Sequence, residues 1–325
     1  MSVTMLTADE TRPLTVFNMW GRTRVSAWRW TLAIAIAGAA WLGGLAFLAQ
    51  FRPTEVWRLF AGLGAPLHVY LVCLACIGAI CAGALLARAR ALAALALAGA
   101  AYLGAFWLGG FMYLVHDPEF DIPFSGMSDA TGFALSRLYW GGAALACLGA
   151  AWLLLGRRPG TPRPYLGFGD WRAPARDVSA KEAPAPYWRK LVIGFVIVAL
   201  VLALLFQASV GFTPLTSGRL WPLMPAILLA ALVNASVEEL IYRGFLQPAF
   251  MGLVGVAGGM WVAGMLFGMA HWGMSVGVLA ALPTSLLIGL GAVVWGKAAF
   301  ETRGLAWPIA AHFLIDVAVM SAYFA

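Results

Sequence analysis

An all-α, polytopic transmembrane helical bundle of eight or nine spans is the fold class this sequence predicts, on three observations. Hydrophobic residues make up 62% of the chain and charged residues 11%, where a soluble domain carries about 25% charged residues. Mean hydropathy is +0.85. Apolar runs long enough to cross a bilayer as helices recur along the chain, and the arginines gather in the gaps between them.

Residues 1–26 are polar and contain Arg12, Arg22 and Arg24. The apolar run 31–50 is too long for a signal-peptide core, and no small-residue cleavage site follows it, so it is expected to be a retained first span. Further spans are expected at 66–87, 91–115, 133–155, 191–206, 220–250, 255–272, 276–298 and 305–324. That makes nine, or eight if the Ala-rich stretch 66–115 is parsed differently. Trp28, Trp30, Trp57, Trp107, Trp188 and Trp221 lie near span ends, as an aromatic belt places them.

Basic residues set the orientation. Arg22, Arg24 and Arg29 precede the first span, Arg88 and Arg90 follow the second, and 156–190 holds Arg157, Arg158, Arg163, Arg172, Arg176, Lys181, Arg189 and Lys190. With alternating spans these places share one side, which the positive-inside rule makes the cytoplasm. The stretch 116–132 has Asp117, Glu119, Asp121 and Asp129 and no Lys or Arg, so it falls outside. Arg52 and Arg58 run against this scheme. The chain is thus expected to divide into 1–155 (a cytoplasmic tail and four spans), a basic cytoplasmic linker 156–190 with little regular structure, and 191–325. The high Arg-to-Lys ratio and Ala-rich spans suggest a GC-rich bacterial genome, hence a multi-pass protein of the bacterial plasma (inner) membrane with a cytoplasmic N-terminus. The net charge of +7 is no nucleic-acid footprint, because its basic residues sit where a lipid bilayer places them. Cys73, Cys76, Cys81 and Cys147 all lie in apolar segments and read as small buried apolar residues.

The deep polar groups that span ends do not explain gather after residue 220. Glu238, Glu239 and Arg243 sit within a long apolar run, and an ionisable residue at bilayer depth is a functional-site hypothesis by default. On a helix Glu239 and Arg243 pair across one turn. Glu238 points about a hundred degrees away, with no local cation, and Asn234 shares its face. His271 lies near the end of the 255–272 span, four residues after Phe267. His312 and Asp316 are four apart and share a helix face. Helix rise places Glu238 roughly 18–20 Å from the cytoplasmic turns, His271 roughly 24 Å, His312 roughly 12 Å and Asp316 roughly 18 Å. Tilt closes much of that spread. Each group alone has a milder explanation: a buried ion pair that sets packing, a hydrogen-bonded core histidine, an intrahelical His–Asp bond. Phe267 reads as packing, and Arg137, near the outer end of its span, as a snorkelling residue.

A glutamate shielded from water suits a general base, a histidine beside it can orient the same water, and a second histidine with a carboxyl or amide group opposite can donate to an oxyanion. That set describes water attack on an amide carbonyl. The same side chains, Glu238, His271, His312 and Asp316, can instead hold a divalent metal such as zinc. The chain has no H-E-x-x-H motif.

Glu238-Glu239-x3-Arg243, then Phe267-x3-His271, then His312-x3-Asp316, in this order on successive membrane helices, resembles the CPBP intramembrane proteases. That group includes the type II CAAX prenyl endopeptidases and the bacterial Abi and bacteriocin-processing or immunity proteins. The resemblance covers roughly 215–325. It implies that Glu238 and His271 activate the attacking water, that His312 and Asp316 stabilise the oxyanion, and that Glu239 and Arg243 support the site. Asp316 departs from the more usual Asn: an ionised Asp is a poor oxyanion donor, so it must be protonated, orient His312 or bind metal. The resemblance leaves a metal-dependent and a metal-free glutamate mechanism both open. It implies an intramembrane endopeptidase acting on a membrane-associated peptide or protein. The competing expectations are a proton-coupled transporter using the same acids and histidines as a relay, and a non-catalytic immunity or scaffold protein keeping them for packing.

Overall fold

The computed structural model describes residues 25–51, 66–116, 130–156, 165–170, 172–175, 187–191, 193–194, 196–197, 201, 220–271 and 278–324. Among these the chain is all-helical. In lipid every backbone N–H and C=O must be satisfied within its own segment, and for Ala-, Leu- and Gly-rich runs the helix does this. The helices are α1 Ala27–Phe51, α2 Pro66–Leu86, α3 Arg90–His116, α4 Ala130–Ala151, α5 Leu220–Glu239, α6 Gln247–Ala270, α7 Val278–Thr302 and α8 Ala306–Phe324. Trp152–Gly156 continues α4 as a π-turn, and a second π-turn, Leu240–Leu246, joins α5 to α6.

Five helices among the described residues are long and apolar enough to cross a membrane, with two shorter apolar helices beside them. This falls below the expected eight or nine, and the span expected at 191–206 lies largely outside the described residues. One of the five, Leu220–Ala270, is 51 residues long, about 75 Å as a straight helix and more than twice a bilayer's hydrocarbon core. Gly255 breaks it: φ is 79° there, a left-handed conformation that glycine adopts without steric cost. Beyond it the chain folds back until Gly259 lies against the Met251 backbone. Outward faces are apolar, with Leu71, Val72, Leu86, Leu154, Leu229 and Leu287 exposed, as contact with lipid tails requires.

Helix α1 packs on α2, α3 and α6, α3 on α4, α4 on α5, α5 on α8, and α6 on α7. One apolar core therefore draws on both the N-terminal and the later helices. Helices α6 and α7 approach at backbone distance, so that a Cβ on Gly268 would overlap the Ser285 carbonyl oxygen. Small residues at four-residue spacing, here Gly264 and Gly268, let membrane helices meet at backbone distance.

Two expectations need correction, and one gains detail. The linker, expected to have little regular structure, has no helix or extended strand at 165–170 and 172–175. It straps across the ends of the later helices, with Tyr165 N–H donating to the Gly244 carbonyl (3.1 Å), Leu305 N–H to that of Gly167 (2.9 Å) and Ala306 N–H to that of Phe168 (3.1 Å). Trp188 is no belt residue: it is buried, and its indole donates to Glu301 Oε2 at 2.6 Å. Trp28 and Trp221 are exposed as a belt requires, while Trp57 and the Trp107 side chain lie outside the described residues. All four cysteines are free, yet only Cys73 is buried; Cys76 is exposed because its face of α2 turns outward.

Candidate active site

The three polar motifs meet. Asn234, Glu238 and Glu239 come from the last turns of α5, Arg243 from the π-turn, Phe267 and His271 from the end of α6, and His312 and Asp316 from the middle of α8. All but His271 are buried in this structure. The π-turn has a local cause. Gln247 N–H reaches the Tyr242 carbonyl five residues back, and the Gly244 carbonyl accepts from Tyr165 N–H of the strap. The Gln247 side chain then anchors this point to the Gly296 carbonyl of α7 at 2.8 Å.

Glu239 is the hub of the support. It is fully enclosed, and its Oε1 lies 2.9 Å from Arg243 Nη1 and 2.9 Å from His312 Nδ1. The Arg243 guanidinium, also buried, sits 4.2 Å above the Phe267 ring and 5.4 Å from that of Trp295. An arginine boxed between aromatic faces recovers about 2 kcal/mol or more of its lost solvation when dry. Phe267 also stands edge-on to His312, and Trp295 stacks on His312 with ring centroids 5.1 Å apart. The packing role expected for Phe267 therefore has a definite content: it covers Arg243 and sets both imidazoles.

Glu238 faces the other way. Its Oε2 lies 3.9 Å from His271 Nε2 and 3.7 Å from His312 Nε2. That oxygen is buried and has no hydrogen-bond partner in the protein among the described residues. His271 Nδ1 is 2.8 Å from the Phe267 carbonyl oxygen. A carbonyl only accepts, so Nδ1 carries the proton, and in the neutral ring Nε2 presents a lone pair toward Glu238. Two acceptors thus converge on one spot, where a single water can donate to both. Asp316 Oδ2 accepts from Asn234 Nδ2 at 2.9 Å, and its Oδ1 lies 3.5 Å from His312 Nε2. Asn234 and Asp316 together hold the far side of His312.

Every site residue expected from the sequence is brought into this cluster. A cation for Glu238 comes from another helix: from α4 Arg137 Nη1 reaches 3.7 Å from Glu238 Oε1, with 27% of the side chain exposed. A charged residue inside an apolar window was the available signal, but the mean orientation of a span end masked it. Trp295, Tyr102 and Trp41 were also missed, and nothing in their spacing marks them. Tyr102 of α3 shares a 2.8 Å hydroxyl bond with Tyr242, and Trp41 of α1 donates its indole N–H to the Met269 carbonyl at 2.8 Å, two residues before His271.

A zinc centre requires ligands about 2.0–2.2 Å from the metal. Among the described residues no group of three or more His, Cys, Asp or Glu side chains is placed to hold a metal ion. Two of the candidate ligand atoms are already committed, His312 Nδ1 to Glu239 and Asp316 Oδ2 to Asn234. The atoms left facing one another are Glu238 Oε2, His271 Nε2, His312 Nε2 and Asp316 Oδ1, with 3.9, 3.7 and 3.5 Å between Glu238 and His271, Glu238 and His312, and His312 and Asp316.

Residues 219–318 match the family model of the Type II CAAX prenyl endopeptidase Rce1-like proteins. Nothing among the curated proteins and nothing among the solved structures matches the chain.

Proposed function

We propose, from the premise that residues 219–318 carry an Rce1-like domain of the CAAX protease family, that this membrane protein is an intramembrane endopeptidase with a glutamate-based, metal-free mechanism. The observation that carries this reading is the convergence of His271 Nε2 and His312 Nε2 on Glu238 Oε2, at 3.9 and 3.7 Å, from three different helices. Glu238 takes a proton from the attacking water, with His271 orienting that water through Nε2. The hydroxide oxygen bonds to the peptide carbonyl carbon, and the carbonyl π-pair moves onto its oxygen. His312, its Nδ1–H held by Glu239 and its Nε2 beside Asp316, donates from Nε2 to that oxyanion in the doubly protonated form. As the C–N bond breaks, Glu238 returns its proton to the leaving nitrogen. Asp316 acts here by orienting His312, since its own oxygens accept from Asn234 and face His312. The substrate class is a membrane-associated peptide or protein tail, presented in a multi-pass bundle whose N-terminus we place in the cytoplasm.

The test uses purified full-length protein in liposomes with internally quenched peptides ending in a Cys-aliphatic-aliphatic-X tail, with and without a prenyl group on the cysteine. Glu238→Gln should lower cleavage by about 10³-fold or more while the protein melts as wild type does. Cleavage should persist after exhaustive chelation. Normal turnover by Glu238→Gln sinks the reading; loss of cleavage on chelation, restored by zinc, replaces the metal-free mechanism.

A further inference from the structure

We infer that Arg137, on a helix outside the family-matched region, is a second oxyanion donor that takes the place of the amide this chain lacks at position 316. The inference deepens the protease reading and rests on it. An oxyanion hole needs donors aimed at the oxygen where charge develops. Asp316 offers two acceptor oxygens, one bound by Asn234 Nδ2 at 2.9 Å and the other 3.5 Å from His312 Nε2. Where the resembling family more often carries Asn, this chain therefore has one donor fewer.

Only two arginines approach the acids of the site among the described residues. Arg243 is sealed behind Glu239 under Phe267 and Trp295 and cannot reach a substrate. Arg137 enters from α4 and keeps 27% of its side chain exposed, more than Glu238, His271, His312 or Asp316. It addresses Glu238 Oε1, whereas the two imidazoles address Oε2. The base thus has His271, which orients water, and His312, the first oxyanion donor, at Oε2, and a guanidinium at Oε1. The two carboxylate oxygens belong to one group, so a carbonyl held against Glu238 and attacked by its water lies within the reach of both His312 and Arg137. At 3.7 Å the contact with Glu238 is longer than the 2.7–2.9 Å of a charge-assisted hydrogen bond. A guanidinium has five N–H donors, enough to serve several acceptors at once, and it stays charged throughout. Trp140, with its ring 5.8 Å from the guanidinium, holds the side chain in place.

The experiment measures kcat, KM and melting temperature on the prenylated quenched peptide for wild type, Glu238→Gln, Arg137→Gln, Arg137→Lys and the double variant Arg137→Gln/Asp316→Asn. The inference expects Arg137→Gln to lower kcat by about 10²-fold with KM within about twofold and unchanged melting. Arg137→Lys keeps a charged donor and should recover part of that loss. The double variant, which restores an amide at position 316, should gain at least about tenfold in kcat over Arg137→Gln alone. An Arg137→Gln kcat within about threefold of wild type overturns the inference. So does a loss confined to KM or accompanied by a fallen melting temperature in both Arg137 variants, or a double variant no better than the single one. If wild type cleaves and Glu238→Gln does not, the protease reading stands whatever Arg137 does. If Glu238→Gln cleaves normally, that reading fails and this inference falls with it.

Discussion

The helices before residue 157 and those after 219 draw on similar apolar residues, yet they bury different things. Among the described residues every buried polar or charged side chain belongs to the later set: Asn234, Glu238, Glu239, Arg243, Gln247, Ser285, Lys297, Thr302, His312, Asp316 and Ser321. The earlier helices bury alanines, leucines, isoleucines and the rings of Tyr70 and Tyr102. The comparison separates two sources of order. In the later helices a connected chain of charges, Arg243–Glu239–His312–Asp316–Asn234, specifies one arrangement, because any slip leaves a charge without its partner in a dry interior. In the earlier helices close packing does the holding, and side-chain polar contacts that tie the set to the site include Arg137 on Glu238, Tyr102 on Tyr242 and Trp41 on the Met269 carbonyl.

That contrast can be broken most severely at Arg243. Arg243→Gln leaves Glu239 buried without its cation, and removing one partner of a buried pair costs about 3–5 kcal/mol. Melting of the full-length protein in detergent should drop sharply, with cleavage lost at temperatures where wild type is active; an unchanged melting temperature would mean that the charge chain does not hold the later helices. A middle-sized effect is expected at the junction. Tyr102→Phe deprives the buried Tyr242 hydroxyl of its 2.8 Å partner, at about 1–3 kcal/mol. If the earlier helices only fill space, the same change should do no more than an exposed substitution, and thermal melting tells the two apart. The smallest effect sharpens the picture rather than breaking it. Trp41→Phe removes one indole hydrogen bond, about 1 kcal/mol, but it frees the carbonyl beside the end of α6 that carries His271. A few-fold loss in kcat with nearly normal melting would show that α1 positions the catalytic histidine; equal and small losses in both would confine α1 to packing.

The strap over 165–175 has its own anchoring at the opposite end of α7. Lys297 and Glu301 pair one turn apart, and Trp188 donates to the same glutamate. At Gly169 and Gly304 the two backbones come so close that a Cβ on Gly304 would overlap the Gly169 amide. Tyr165 belongs to this contact, and burial pushes its phenol up to about 12, with Arg303 pulling in the other direction. Composition alone marked this stretch as a linker, because Pro, Gly and Arg carry no helical or strand period. Its hydrogen bonds go to turn carbonyls and amides that no side-chain pattern reveals.

Much of the fold was legible in the sequence, since apolar length and charge position act locally. Run length marked α1, α2, α3, α7 and α8 to within a few residues, and the break expected between the spans 220–250 and 255–272 falls at Gly255, whose φ of 79° glycine adopts cheaply. The site's membership was legible for the same reason: a Glu, His or Asp is conspicuous where hydrocarbon is the norm. Which partner each group takes was decided by the tertiary structure alone. Helix periodicity pairs His312 with Asp316, yet the shorter contact of His312 is with Glu239, seventy-three residues away. Periodicity leaves Glu238 without a cation, yet α4 delivers Arg137 to it. Spacing along one helix reports one face of that helix. What stands opposite depends on the crossing of several helices, and that is set by glycine contacts and aromatic packing spread over the whole chain.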